Sequence, residues 1–484
     1  MLFNSYQFIF IFLPITFGVY FLLNARGYLL SSKIWIILSS LFFYSWWNIN
    51  YLPLIVLSIL VNFTISQALM QDPKHKKLFL LGGLGFNIGL LGYFKYMDFF
   101  ILNFNWGFGA DVSLLHLALP LAISFYTLQQ IAYLVDSYGG LVKEKNFLDY
   151  TIFVTFFPQL IAGPIVHHKE MMPQFASLGN KTLNYDNISK GLFIFSLGLF
   201  KKVAIADTFA SWANAGYAHA DVLNVLEAWI TSLSYTFQLY FDFSGYTDMA
   251  IGAALLFNIK LPQNFNSPYK STGLIEFWQR WHMTLTRFIT TYIYKPFLKS
   301  MGKVSFEKAM LATVFTMLVA GIWHGAAWTF VIFGILHGVG IAVNHYWKKS
   351  KIHLPVWLAW FITFNFLNLS FVIFRAENIE TLLSMFSSMF GANGLILSEK
   401  YFSFLSAFEG NIFVFSHVYP HIEGNSLTTV SIILAMIIVL VFKNSTQFLN
   451  EFVSTNRSLL FGMFLFLIAT SFMSRISEFL YFNF

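Results

Sequence analysis

The sequence predicts an all-α polytopic membrane protein, and three observations carry that expectation. Of 484 residues, 57% are hydrophobic and only 11% are charged, where a soluble globular chain carries about 25% charged residues. Runs free of charge follow one another with short breaks, several of them near the ~20 residues that one crossing needs. Lys and Arg gather in short clusters between those runs, as the inner loops of a membrane protein do. That distribution accounts for the net charge of +7 without nucleic acid as a partner. The 60 Phe and 13 Trp exclude a disordered chain. The absence of Cys removes disulfides, thiolate metal sites and Cys-bound acyl intermediates. A soluble chain of this length would hold roughly three domains, but the short breaks predict one membrane-embedded unit, 1–484.

The spans follow in order. Residues 1–25 are uncharged and lack the basic start and small-residue cleavage site of a signal peptide, so a retained first span is expected. Ile34–Gln71 has 38 residues, too many for one crossing; Asn48, Asn50 and Pro53 divide it into two spans and a turn. Further runs lie at 78–94, 112–135, 150–168, 309–347, 352–374, 424–442 and 458–474. Between 188 and 260 the apolar stretches are interrupted by Lys201, Lys202, Asp207, Asp242 and Asp248. Such broken helices are tolerated only against protein or a water-filled cavity. In all, roughly eleven to thirteen membrane helices are expected, some broken or re-entrant. They divide into N-terminal helices (1–135), a core (136–380), and an external loop at 391–426 with the last helices (381–484).

Orientation comes from the bases. Arg26 and Lys33, then Lys74, Lys76 and Lys77, then Lys143 and Lys145 share one side if two spans separate each group. The turns 47–51 and 103–111 hold no Lys or Arg. The basic side is therefore expected to be cytoplasmic and the N-terminus outside. Lys295, Lys299, Lys303 and Lys308, then Lys348, Lys349 and Lys351, extend that side. No sequence repeat is evident, which argues against a transporter made of two related halves.

Ionisable groups at membrane depth are costly and mark functional candidates. His324, in Ala320-Gly321-Ile322-Trp323-His324-Gly325, lies 16 residues after Lys308, a helical rise of about 24 Å. A neutral imidazole there suits general-base work, and Gly321 and Gly325 let another helix or a substrate come close. His337 follows in Leu336-His337-Gly338. Packing within a helix bundle is the alternative for both. In Glu276-Phe277-Trp278-Gln279-Arg280-Trp281-His282, Trp278 and His282 share a helical face, as do Glu276 and Arg280, which could pair. An interfacial amphipathic helix is the alternative there. In Tyr240-Phe241-Asp242-Phe243-Ser244-Gly245-Tyr246-Thr247-Asp248, the Ser-Gly pair suggests a break lining a cavity. Asp242 and Asp248 could bind a cation, orient a His, or hold the fold by hydrogen bonds. No Walker loop, GxSxG elbow, HExxH or EF-hand sequence is present, and no metal site is expected.

These segments resemble the membrane-bound O-acyltransferase (MBOAT) family, in its branch of alginate O-acetyltransferase membrane subunits and peptidoglycan O-acetyltransferases. The match runs from Met1-Leu2-Phe3-Asn4-Ser5 to about Glu377. It takes in Phe157-Pro158-Gln159-Leu160-Ile161-Ala162-Gly163-Pro164, Tyr240–Asp248, Asn264–His282, Trp323-His324-Gly325 and Phe374-Arg375-Ala376-Glu377-Asn378. The resemblance implies helices around a central tunnel, with 136–380 as the catalytic core. His324, in the Trp-His-Gly motif, would be the catalytic residue and His282, after Arg-Trp, the second one. Trp323, Gly325, Trp278, Arg280, Asp242, Ser244, Asp248 and His337 become candidates for binding substrate or lining the tunnel.

The implied reaction moves an acetyl group from a cytoplasmic thioester such as acetyl-CoA, with no bound cofactor, to a hydroxyl of an alginate-like or peptidoglycan glycan outside a bacterial inner membrane. His324 would be the general base, and His282 would orient or polarise the donor. An extracytoplasmic acetyltransferase is the implied partner, alongside membrane lipid. Two departures stand out. Thr290-Thr291 occupies a place where relatives often have Arg-Asp, with a Gly-Gly segment missing after Pro296, and His167 stands where relatives often have Arg. The rival expectation is a transporter or export channel with a buried His/Asp proton relay.

Overall fold

The computed structural model describes residues 1–142, 145–350, 352–397, 410, 413–415, 417–474 and 480; Lys143 and Lys351 fall outside them. Among the described residues the chain is almost wholly helical, with one pair of short parallel strands, Leu395–Leu397 and Phe413–Phe415. Six helices among the described residues are long and apolar enough to cross a membrane: Phe8–Ala25, Ile49–Gln71, Lys76–Phe108, Phe306–His324, Trp328–Ser350 and Val356–Arg375. Leu29–Ser45, Ser426–Val441 and Asn456–Phe472 are shorter apolar helices. Their lipid-side residues, such as Leu57, Leu81, Ile335 and Phe461, remain exposed, as an all-apolar environment permits.

At the centre stands Val225–Leu256, begun by an Asn224–Glu227 capping box. Every residue from Ser234 to Leu256 is buried, the mark of a helix enclosed on all sides. The helix Tyr185–Phe200 lies against it along a glycine seam. A Cβ at Gly198 would come 2.6 Å from the Gly245 carbonyl oxygen, and one at Gly252 2.6 Å from that of Gly191. Only glycine lets two backbones approach so closely. Gly245 is therefore a contact between continuous helices. The break expected at Ser244-Gly245 does not occur.

Two apolar runs fold differently from the straight crossings expected. In the run 112–135 the helix starts only at Ile123. Residues 110–120 have no regular structure, because the Asp98 carboxylate accepts Leu115 N–H (2.7 Å) and His116 N–H (3.0 Å) and Pro120 stands just ahead of the helix. The run 150–168 is divided into Phe147–Thr155 and Phe157–Leu160, followed by a bend before His168–Ala176. Gly163 is forced at that bend, since its Cβ would meet Gln159 Cα at 2.5 Å.

Candidate active site

His324 ends the helix Phe306–His324, which Ser305 caps at its start by accepting from Lys308 N–H. The turn after it leads into Trp328–Ser350. The two helices pack tightly because a Cβ at Gly334 would lie 2.6 Å from Met317 O, and one at Gly338 would lie 2.8 Å from Val314 Cα. Gly321 serves the same crossing, facing Gly334 and Phe330 O. The His324 ring is 5% exposed and enclosed by Trp323, Phe333 and Phe374. Its Nδ1 has no hydrogen-bond partner among the described residues.

His282 is held by a loop. The helix Leu274–Arg280 ends before it, and Met283–Ile289 begins after it. His282 itself takes a left-handed conformation, φ 43°, which is uncommon outside glycine. Asn264 locks this turn. Its carbonyl accepts Met283 N–H at 2.9 Å, and its side-chain Oδ1 accepts Thr284 N–H at 3.2 Å and the Thr284 hydroxyl at 2.8 Å. The Thr284 hydroxyl oxygen accepts Ile165 N–H at 3.0 Å, so its own hydrogen is free for Asn264. His282 Nδ1 lies 3.1 Å from the same Oδ1. An oxygen accepts and cannot donate, so this network assigns the proton to Nδ1. In the neutral ring Nε2 is then a bare lone pair, buried and without a partner among the described residues.

A third group was not anticipated from sequence. Lys95 lies in a π-helical segment, Gly92–Tyr96, within Lys76–Phe108. Its ammonium donates to Trp323 O (2.6 Å), His324 O (3.1 Å) and Ser124 Oγ (3.2 Å). All three donors are used, and a cation caps the last carbonyls of the His324 helix. Lys95 thus touches the His324 backbone, and the His337 ring packs on Phe333, which also touches the His324 ring. The available signal was a lone Lys interrupting an apolar stretch.

Two separate cavities lie beside this group, and neither His282 nor His324 lines either of them. One, of about 320 Å³, is lined by Trp278, Met283, Arg287, Thr290, Thr291 and Lys295. The other, also about 320 Å³, is lined by Lys95, Asp98, Gly325, Ala326, Ala327 and Phe330. His282 precedes Met283 in the first wall, and His324 precedes Gly325 in the second.

The family model of the membrane-bound O-acyltransferases matches residues 140–386, which contain both histidines. Along its full length the chain is 46% identical to the peptidoglycan O-acetyltransferase of Helicobacter pylori, covering 98% of that protein. Over 82% of its length it is 37% identical to the probable alginate O-acetylase of Pseudomonas putida, covering 82% of that one. The chain belongs to the membrane-bound O-acyltransferase family. It is a multi-pass membrane enzyme that transfers acyl groups to oxygen.

The remaining candidates of this O-acyltransferase are placed as follows. His337 has both nitrogens paired. Its Nδ1 accepts Trp278 Nε1–H at 3.1 Å, and its Nε2 lies 3.0 Å from Ser370 Oγ, whose hydrogen goes to Leu367 O. It fixes Trp278 and has no free lone pair. Trp278 consequently faces His337 and does not share a helical face with His282. Arg280 pairs with Glu276 at 2.8 Å, as the spacing suggests, and also donates to Asn266 O at 3.1 Å. Partial burial pushes the Glu276 carboxyl up, but hydrogen bonds from Thr272 N–H and Arg280 outweigh it and hold it below the usual range.

Asp242 and Asp248 are ion-paired across the glycine seam. Lys202 Nζ lies 2.6 Å from Asp242 and 2.7 Å from Asp207, and Lys201 Nζ lies 2.8 Å from Asp248. Both lysines come from the π-helical segment Lys201–Ala206. Ser244 borders a small enclosed space with Asp248 and Asn264. Gly325 lies against the Phe330 ring, where a Cβ would collide.

Proposed function

We propose that the enzyme transfers an acetyl group from a cytoplasmic thioester of the acetyl-CoA type to a hydroxyl at the outer face of a bacterial inner membrane. The end products are O-acetylated envelope glycans, peptidoglycan or an alginate-like polymer. The observation that carries this reading is the two buried histidines, His282 and His324, each with a ring nitrogen unpartnered among the described residues and each next in sequence to a residue that lines a cavity, Met283 in one and Gly325 in the other. Lys295 supplies positive charge for the phosphates of coenzyme A, beside Arg287, whose guanidinium is paired with the Glu170 carboxylate. The names of the H. pylori and P. putida relatives support the acetyl group and the acceptor class.

In the proposed step His324 removes the acceptor hydroxyl's proton as its oxygen attacks the thioester carbonyl. The C–S bond then breaks, and the proton returns to the thiolate. His282, with its proton held by Asn264, offers Nε2 only as an acceptor. It orients the donor by accepting a hydrogen bond from an amide N–H of its pantetheine arm. In that neutral form it has no proton with which to polarise the carbonyl. An extracytoplasmic acetyltransferase, docked at the outer face, receives the group and selects the polymer.

The test uses purified protein in liposomes, given labelled acetyl-CoA on the side of the Lys295 loop and a short glycan on the other. Labelled ester on the acceptor side supports the reading. Solute uptake without acyl transfer would establish the transporter in its place. If the protein alone acetylates polymeric glycan at full rate, the partner is unnecessary.

A further inference from the structure

A second pair of histidines converges on one carboxylate away from His324. His167 and His168 open the helix His168–Ala176, and Asp136 lies near the end of Ile123–Tyr138. Asp136 Oδ2 is 2.7 Å from His167 Nε2 and 3.0 Å from His168 Nε2. The Tyr292 hydroxyl, from the π-helical segment Thr290–Tyr294, is 3.0 Å from the same oxygen and 2.9 Å from His167 Nε2. As hydrogen bonds, His168 Nε2 and the Tyr292 hydroxyl fill the two lone pairs of Oδ2, and His167 Nε2 bonds to the Tyr292 oxygen while lying 2.7 Å from the same carboxylate oxygen. The two ring nitrogens and the carboxylate oxygen all lie within 4.8 Å of one another.

We propose that Asp136, His167 and His168, with Tyr292 as a fourth oxygen donor, bind a divalent cation of the zinc class. Two imidazoles with a carboxylate suit Zn²⁺, whereas Mg²⁺ and Ca²⁺ take oxygen-only sets. A tetrahedral ion with bonds of about 2.0–2.2 Å sets its donors roughly 3.4 Å apart, against 2.7–3.0 Å between Asp136 Oδ2 and each of the other three donors, so side-chain adjustment is needed to admit it. The cation takes the lone pairs that converge there, in place of the hydrogen bonds on Oδ2. His167 Nδ1 then carries that ring's proton and gives up its long, 3.3 Å bond from Lys169 N–H. Asp136 and His168 are buried, and a cavity of about 180 Å³ lined by His167, Glu170, Arg287 and Tyr292 provides the entry path. The ion would clamp three elements beside the basic cavity. It stands clear of the acyl-transfer reading, and neither depends on the other.

The experiment titrates tag-free, full-length protein, dialysed against a chelator in detergent, with Zn²⁺ in competition with a chromophoric chelator. One zinc per chain is expected, with a raised thermal midpoint on binding, and Co²⁺ in its place should give the intense visible bands of a tetrahedral site. His167→Arg keeps a donor to Asp136 but has no lone pair. Its affinity is expected to fall at least tenfold and its midpoint to stop responding to zinc. Wild-type protein that binds no stoichiometric zinc would mean a hydrogen-bonded cluster only and overturn the proposal, whether or not the variants fold. Unchanged affinity in His167→Arg would overturn it equally.

Discussion

The ammonium of Lys95 holds the backbone of His324: its Nζ lies 2.6 Å from the Trp323 carbonyl oxygen and 3.1 Å from that of His324, across 229 residues of chain. A helix terminus leaves its last carbonyls without intrahelical partners, and in an apolar interior an unpaired polar group costs about 1–3 kcal/mol. Lys95 removes that cost and fixes the position of His324 at once. Lys95→Met should lower acyl transfer by about 10²-fold, the scale of loss from a misplacement near 1 Å. The loss should appear in kcat at unchanged KM for the thioester donor. Full activity in Lys95→Met would separate the lysine from the chemistry.

A second outcome concerns the Asn264 lock. Asn264→Ala removes the acceptor of His282 Nδ1–H and of Thr284 N–H, freeing the ring to rotate or change tautomer. Transfer should fall by about 10²-fold, with a lower thermal midpoint from the unpaired Thr284 amide. Asn264→Asp keeps an acceptor oxygen and should recover at least part of the rate lost in the alanine variant. An Ala variant with wild-type kcat would mean that the lock has no part in the reaction.

At Gly325 the obstacle to a side chain is the Phe330 ring, which also borders the second cavity. Gly325→Leu should displace that ring into the cavity and block transfer while the protein still accumulates in membranes. Adding Phe330→Ala should restore room and part of the activity. A double variant no better than the single one would place the defect elsewhere.

The basic loops provide a topological outcome. Single cysteines introduced at Lys77 and Lys299, both exposed, label cleanly in a chain without native Cys. Neither should react with an impermeant thiol reagent added to intact cells, and both should react after permeabilisation. Labelling of either in intact cells would reverse the orientation.

Much of this molecule is legible in its residue order. Uncharged runs such as 352–374 and 458–474 become the helices Val356–Arg375 and Asn456–Phe472 almost residue for residue, because nothing but a helix satisfies backbone groups in an apolar setting. The motifs around His324 and His282 mark family membership, which the full-length match bears out. What escapes the sequence is pairing at long range. Lys95, Lys201, Lys202 and Tyr292 all sit in π-helical segments, where one extra residue rotates the following side chains out of the 3.6-residue period. A periodic reading misassigns their faces. Gly245 looks like a break until Gly198 is found opposite it, and Asp242 looks like a site until Lys202 is found beside it. Within 112–135, the acidic Asp98 binds the segment 115–116 in non-helical form, a contact that the apolar pattern itself does not contain.

The most direct measurement is acetyl transfer by His324→Ala, in liposomes loaded to equal protein content and supplied with labelled acetyl-CoA. General-base catalysis contributes about 10²–10⁴-fold, so the variant should insert and fold normally yet transfer label at no more than about a hundredth of the wild-type rate. Transfer at the wild-type rate would contradict the assignment of His324 as the base.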